Sequence, residues 1–334
     1  MTLADPGFGH LIRLTDDTGL FEHARYATVR REHGYCTDDV SRGLLVVCRE
    51  PDPSATLIAL ADRYLAFLSH AQDGKGAFRN RLGYDRRWED SAGLGDWWGR
   101  AMWGLGTAAA RSPVSRIRTE ALVAFTAGAA RRSPAVRAMA FAGLGAAELL
   151  REGIAEDCAG PLLADAAAAV GRPGEDPEWP WPEPRLTYAN AALAEVLISA
   201  GELLADKAAL TRGLLMLTWL RETQWRDGHV SVVAAGGWER GTRRERYDQQ
   251  SIEVAALADA CAAASAASGD PSWDDGIRQC AAWFGGDNDA GAVMWDPETG
   301  GGFDGLTPGG PNLNQGAEST LALLATVQHA RRIG

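Results

Sequence analysis

Through most of the chain, apolar residues recur at i, i+3, i+4 and i+7, the spacing that lines one face of a helix. The pattern is clearest over 36–49 (CTDDVSRGLLVVCR), 55–70 (ATLIALADRYLAFLSH), 115–130, 134–150, 155–170, 187–204, 205–223, 248–267 and 314–331. Strand-like alternation is brief, as in His229-Val230-Ser231-Val232-Val233. The periodicity predicts an all-α protein.

The breaks between these segments come in two sizes. Those at 50–54, 111–114, 151–155 and 202–204 are short, whereas 71–95, 171–186, 224–247 and 286–313 are long and rich in Gly, Trp, Asp and Arg. Connections of that length in a compact protein usually carry function. A weak repeat crosses them: an apolar helix ends in YLAFLSHAQDGKG, again in MLTWLRETQWRDGHV and again in CAAWFGGDNDAGAV. Helices that open after the longer links start near 36, 96, 134, 188, 248 and 314, roughly 40–65 residues apart. Each except the last is followed by a second helix, and no linker or change of composition interrupts the series. Such a series predicts a single closed or stacked array over residues 1–334.

Six hairpins close into a double ring, six parallel inner helices surrounded by six outer helices that run the other way. Residues 1–20 or the C-terminal tail must complete the sixth pair. Because the inner helices share a direction, their N-termini and the long loops lie on one face, where a site is expected.

Composition narrows the function. The 334 residues are 46% apolar and 23% charged, which excludes a disordered chain, a collagen-like fibre and a small disulfide scaffold. A net charge of −11 argues against nucleic acid and anionic membranes as partners. The positive charge is nearly all arginine, since Lys75 and Lys207 are the two lysines; with the heavy alanine usage this reads as GC-rich coding bias, not as a phosphate signal. The N-terminus lacks a basic start and apolar run, and no stretch of about 18 uncharged apolar residues occurs, so neither a leader nor a membrane span is expected. Five cysteines without a CxxC pair suit a reducing, cytoplasmic setting. No HExxH, GxGxxG, P-loop or GxSxG stands in its proper context, so no metal or cofactor is expected.

The chemistry-bearing residues gather at the expected mouth. Asp38 and Asp39 open the first inner helix behind Thr37, and Glu318 lies one turn inside the last. Acids in a first turn complement the helix dipole. An adjacent pair can also push one carboxyl toward its protonated form and leave a general acid beside a base or nucleophile. Ring closure makes the last inner helix the neighbour of the first, so Glu318 is expected to face Asp38 or Asp39, or to pair with a loop arginine such as Arg42. Asp96 and Asp248 are expected to start inner helices two and five. Tyr35, Tyr188, Asn190, Gln249, Gln250, Asn314 and Gln315 are candidates for binding hydroxyl groups. Among twelve tryptophans, Trp219 and Trp283 read as core, while Trp88, Trp97, Trp98, Trp179, Trp181, Trp238 and Trp295 fall in or beside the long loops. Trp among Asp, Asn, Gln and Arg suits a sugar, which offers an apolar face and a polar rim. The expected seat lies between Trp97 or Trp98 and the 286–313 loop.

The hairpin count and helix starts resemble the (α/α)6-toroid superfamily of six-hairpin glycosidases, epimerases and polysaccharide lyases. More narrowly, His33-Gly34-Tyr35-Cys36-Thr37-Asp38-Asp39 with Asn314-Gln315-Gly316-Ala317-Glu318-Ser319-Thr320 resembles bacterial toroid domains that occur alone or joined to glycosyltransferases. The resemblance implies a carbohydrate substrate and a glycosyltransferase as a possible partner. Some toroid endo-α-mannanases use a neighbouring Asp pair, which implies a catalytic role for Asp38 and Asp39; Glu318, brought beside them by ring closure, is expected to share it. The expectation is a glycosidase acting on an intracellular oligosaccharide or glycan. Two alternatives stand beside it: an epimerase using His33, His229 or Tyr35 for proton transfer, and a non-catalytic glycan-binding module. Facing carboxyls in the mouth favour the first, a convergent His pair the second, and a Trp groove without acids the third.

Overall fold

A computed structural model of the chain describes residues 4–172, 174 and 176–334. Its inner helices are α2 (Thr37–Arg49), α4 (Asp96–Arg111), α6 (Val136–Arg151), α8 (Ala191–Leu203), α10 (Ser251–Ser268) and α12 (Ala317–Ile333). The outer ones are α3 (Ala55–Ala71), α5 (Ser115–Ala129), α7 (Glu156–Val170), α9 (Lys207–Thr223) and α11 (Ser272–Phe284). Each inner helix packs on the next, and α12 packs back on α2, so the ring closes. The short α1 (Gly9–Arg13) lies against α12 and occupies the sixth outer position, supplied by the N-terminal segment.

Burial separates the two rings. Every residue of α6 from Arg137 to Leu149 is buried, whereas α5 buries mainly the stripe Ile117, Ala121, Ala124, Phe125 and Gly128. Inner helices touch neighbours on several sides, which explains their uniformly apolar, Ala- and Gly-rich sequences; outer helices keep a polar face. By length and composition α10 could cross a membrane, but most of it is buried inside the ring. Glycine sets the spacing at the tightest contact. A Cβ on Gly106 of α4 would stand 2.2 Å from the carbonyl oxygen of Gly145, and one on Gly145 of α6 would stand 2.2 Å from that of Met102. Gly106→Ala should therefore force α4 and α6 apart and cost about 1–3 kcal/mol, the usual scale of overpacking, measured by urea unfolding.

Four inner helices begin two or three residues later than their periodicity predicts, at Val136, Ala191, Ser251 and Ala317. The lead-in residues are held by other loops. Gln249 bridges in extended form to both Ala234 and Leu306, and this pairing delays α10. Asp248 therefore does not start that helix; it is exposed, three residues ahead of it. The long loops are tied by two-stranded ribbons, such as 35–36 with 81–82 and 305–307 with 310–312. All five cysteines are unpaired.

Candidate active site

The residue before α2, Cys36, is extended, and its sulfur accepts from the Asp39 amide (3.4 Å) while its thiol donates to Asp39 Oδ2 (3.1 Å). That local cap starts the helix and turns Asp38 and Asp39 upward. One turn on, Arg42 reaches both: Nη2 donates to Asp38 Oδ2 at 2.5 Å and Nη1 to Asp39 Oδ1 at 2.6 Å. Ring closure adds the third acid, with Glu318 Oε2 of α12 at 3.0 Å from the same Nη1. A single buried guanidinium thus gathers the three carboxylates. Arg42 belongs to the helix and not to a loop.

The three acids differ in exposure. Asp39 is 3% exposed, whereas the side chains of Asp38 and Glu318 are 24% and 39% exposed. Burial pushes the Asp39 carboxyl up to about 7; Arg42 opposes this, and the charges of Asp38 and Glu318 reinforce it. Behind Asp38 stands Arg100 of α4, its Nε 3.9 Å from Asp38 Oδ1 and its guanidinium 3.7 Å above the Phe141 ring. Burial and the neighbouring Arg42 lower Arg100 to about 10. Asp96, at the start of α4, is half-buried, and its carboxyl is raised by desolvation and then by the Asp38 charge.

Asp38, Asp39, Arg42 and Glu318 open into a cleft of about 860 Å³, whose walls also include Glu22, Asn80, Arg81, Gln250, Asp304 and Asn312, while Asp96 and Arg100 stand outside its lining. Asp304 caps α12 from the 286–313 loop by accepting from the Gly316 amide (2.7 Å) and the Ser319 hydroxyl (2.6 Å). Glu22, Cys36 and Asp39 offer ligand atoms within 4.8 Å of one another, yet Arg81 and Arg42 already neutralise the two carboxylates. Guanidinium groups fill the role a cation would take.

Other expected binding residues lie elsewhere. Trp98 is fully buried, and Trp97 donates its indole N–H to the Phe78 carbonyl; no tryptophan lines the cleft, so the expected seat beside Trp97 or Trp98 is corrected. Only the 286–313 half of that expectation reaches the cleft. Trp179, Trp181 and Trp295 are buried, and Trp238 packs edge-on against Trp179 at 4.9 Å; these rings anchor loops to the ring. Tyr35 is buried, stacked on Phe21, and donates its hydroxyl to Asp16. Asn190 is buried and ties the start of α8 to Glu253, Tyr188 lies under Arg137, and Gln249 bonds Asp289 and Trp283. Asn314 and Gln315 hold loops, through the Tyr26 amide and through Thr299 with Asp296. Of the histidines weighed for proton transfer, His229 sits against Asp289, and exposed His33 packs edge-on to His23 at 4.8 Å.

Sequence reasoning missed Glu22, Arg81, Asp304 and Arg100. Arg100 carried a signal, a lone charge in an apolar run; the other three come from loops whose approach only the fold sets.

The buried Asp39 makes stability pH-dependent. Between about pH 4 and 7 the folded protein keeps a proton that the unfolded chain has lost, so this contribution is fully present below that range and vanishes as pH rises through about 7. Asp39→Asn, neutral throughout, should gain on the parent between pH 5 and pH 8 by up to about 3 kcal/mol in urea unfolding. A difference independent of pH would contradict a protonated Asp39.

No family model matches the chain, and no curated protein matches it in sequence. Solved structures do match in shape. Cellobiose 2-epimerase from Spirochaeta thermophila has a TM-score of 0.71 at 13% identity, over 97% of this chain and 92% of that one. A sugar epimerase from a ruminal bacterium has a TM-score of 0.70 at 11% identity, over 96% and 95%. A family 76 glycoside hydrolase from a bovine Bacteroides thetaiotaomicron strain has a TM-score of 0.65 at 11% identity, over 96% and 74%. The closed double ring and these likenesses agree: the chain has the all-α (α/α)6-toroid fold of six-hairpin epimerases and glycosidases.

Proposed function

We propose that the protein is a carbohydrate-active enzyme and, within that class, a glycoside hydrolase whose chemistry rests on Asp38 and Glu318. The observation that carries this reading is the meeting of two solvent-reachable carboxylates, from neighbouring inner helices, on one guanidinium at the cleft. Glycosidic cleavage needs a carboxylic acid to protonate the leaving oxygen and a carboxylate to attack the sugar or activate water. Asp38, fixed by Arg42 at a helix N-terminus, serves as the carboxylate; the more exposed Glu318 delivers the proton. Their attachment to a common guanidinium favours the shorter separation of retaining enzymes, about 5–5.5 Å. Asn80, Gln250 and Asn312 supply amides for hydroxyl groups. Tyr26, 58% exposed on a hairpin bonded to Asn314, offers the aromatic face that the tryptophans do not. The acidic wall suits a neutral sugar over an anionic one. An intracellular oligosaccharide and a glycosyltransferase partner belong to the same proposal.

A second reading, sugar epimerisation, is favoured by His23 on the cleft wall with His33 against it. Oligosaccharides and aryl glycosides incubated in D2O and followed by NMR separate the two. New reducing ends support hydrolysis. Deuterium gained at the carbon beside the anomeric centre, without cleavage, moves the assignment to an epimerase. Saturable binding with neither change leaves a binding module.

A further inference from the structure

The opposite end of the ring holds a second polar cleft, of about 930 Å³, remote from the mouth acids. Four inner helices bring arginines to it: Arg49, Arg111 and Arg151 end α2, α4 and α6, and Arg332 stands near the end of α12. Cations at helix C-termini complement the dipole, and three of the four also meet carboxylates. Arg49 bonds Asp259 at 2.6 Å, Arg111 bonds Glu148 at 2.7 Å, and Arg151 lies 3.5 Å from Glu202. Among the described residues Arg332 has no carboxylate within 4.0 Å; it donates only to the Arg49 carbonyl, and burial, followed by the Arg49 and Arg111 charges, lowers its pKa.

A second observation comes from the floor. Glu195 of α8 is 6% exposed, lines both this cleft and the axial cavity above it, and leaves Oε2 without a hydrogen-bond partner. Burial and the nearby Asp259 charge favour its protonated form, an O–H donor. Partly exposed guanidinium groups at the rim with a spare donor beneath them match the oxygens of a tetrahedral dianion. An otherwise acidic chain thus gathers four arginines around one cleft, one of them without a direct carboxylate partner among the described residues, beside the carboxylates Glu148, Asp259 and Asp274 that also line it.

We propose that this far-end cleft binds a phosphate group, carried by free phosphate or by a phosphorylated sugar, independently of the chemistry at the mouth. The test is calorimetric titration of the whole protein with inorganic phosphate, glucose 6-phosphate, glucose and acetate at matched ionic strength. The expected result is saturable binding of one or both phosphates with a dissociation constant below about 1 mM, and none of glucose or acetate. Arg332→Gln and Arg151→Gln, both partly exposed and so expected to fold, should each weaken it by about 10-fold or more, whereas Glu318→Gln should bind as the parent does. If only glucose 6-phosphate binds, the ligand is the phosphorylated sugar. No saturable binding, equal binding in the two arginine variants, or loss in Glu318→Gln would overturn the proposal.

Discussion

Asp38→Asn and Glu318→Gln are each expected to lower turnover of the substrate by about 10²-fold or more, with the ring intact. Both substitutions preserve shape and the ability to accept from Arg42, but neither amide can attack a sugar or exchange a proton. Asp38 also sits in the first turn of α2, so part of its role is electrostatic support of the helix, worth about 0.3–1 kcal/mol. The two roles separate in measurement: catalysis shows in turnover at unchanged melting temperature, capping in the melting temperature alone. Full activity in both variants would remove Asp38 and Glu318 from the chemistry. Asp39→Asn should behave differently, because Asp39 is buried beneath them. Its effect belongs in the pH profile, where the limb near pH 7 should move.

Arg42→Met is expected to destabilise the fold by about 3–5 kcal/mol at pH 7, the largest effect of any single change at the mouth. Arg42 is buried, and its loss leaves Asp38, Asp39 and Glu318 facing one another uncompensated. Below about pH 4 the carboxyls take up protons, so the deficit should shrink there, and adding Asp39→Asn should restore part of it at pH 7. Urea unfolding at the two pH values checks this. A deficit of equal size at both would mean that Arg42 acts through packing and not through charge.

How legible the site was depends on sequence distance. Asp38, Asp39 and Arg42 lie within one helical turn, where spacing alone places side chains together. Glu318 could be assigned to their neighbourhood because a ring brings its last inner helix to its first. Tryptophan misled, because abundance in loops is equally the signature of rings that pin loops to a core, as Trp179, Trp181 and Trp238 do. Gln249, Asn190 and Gln315 likewise serve loop and helix starts, which compete for the same amide groups as a ligand would.

The chain's periodicity determined the helices, their pairing and the circular order, because each follows from local spacing and short connections. It also determined that acids would stand at helix N-termini on one face. The tertiary structure alone decided that three of those acids share one buried guanidinium, that Asp39 lies beneath the other two, and that no tryptophan reaches the cleft. It alone placed Arg49, Arg111, Arg151 and Arg332 around a second cleft and set Glu195 at its floor. The reason is physical: helical spacing constrains neighbours within a turn, whereas burial, charge pairing and desolvation depend on which residues, far apart in the chain, close packing brings into contact.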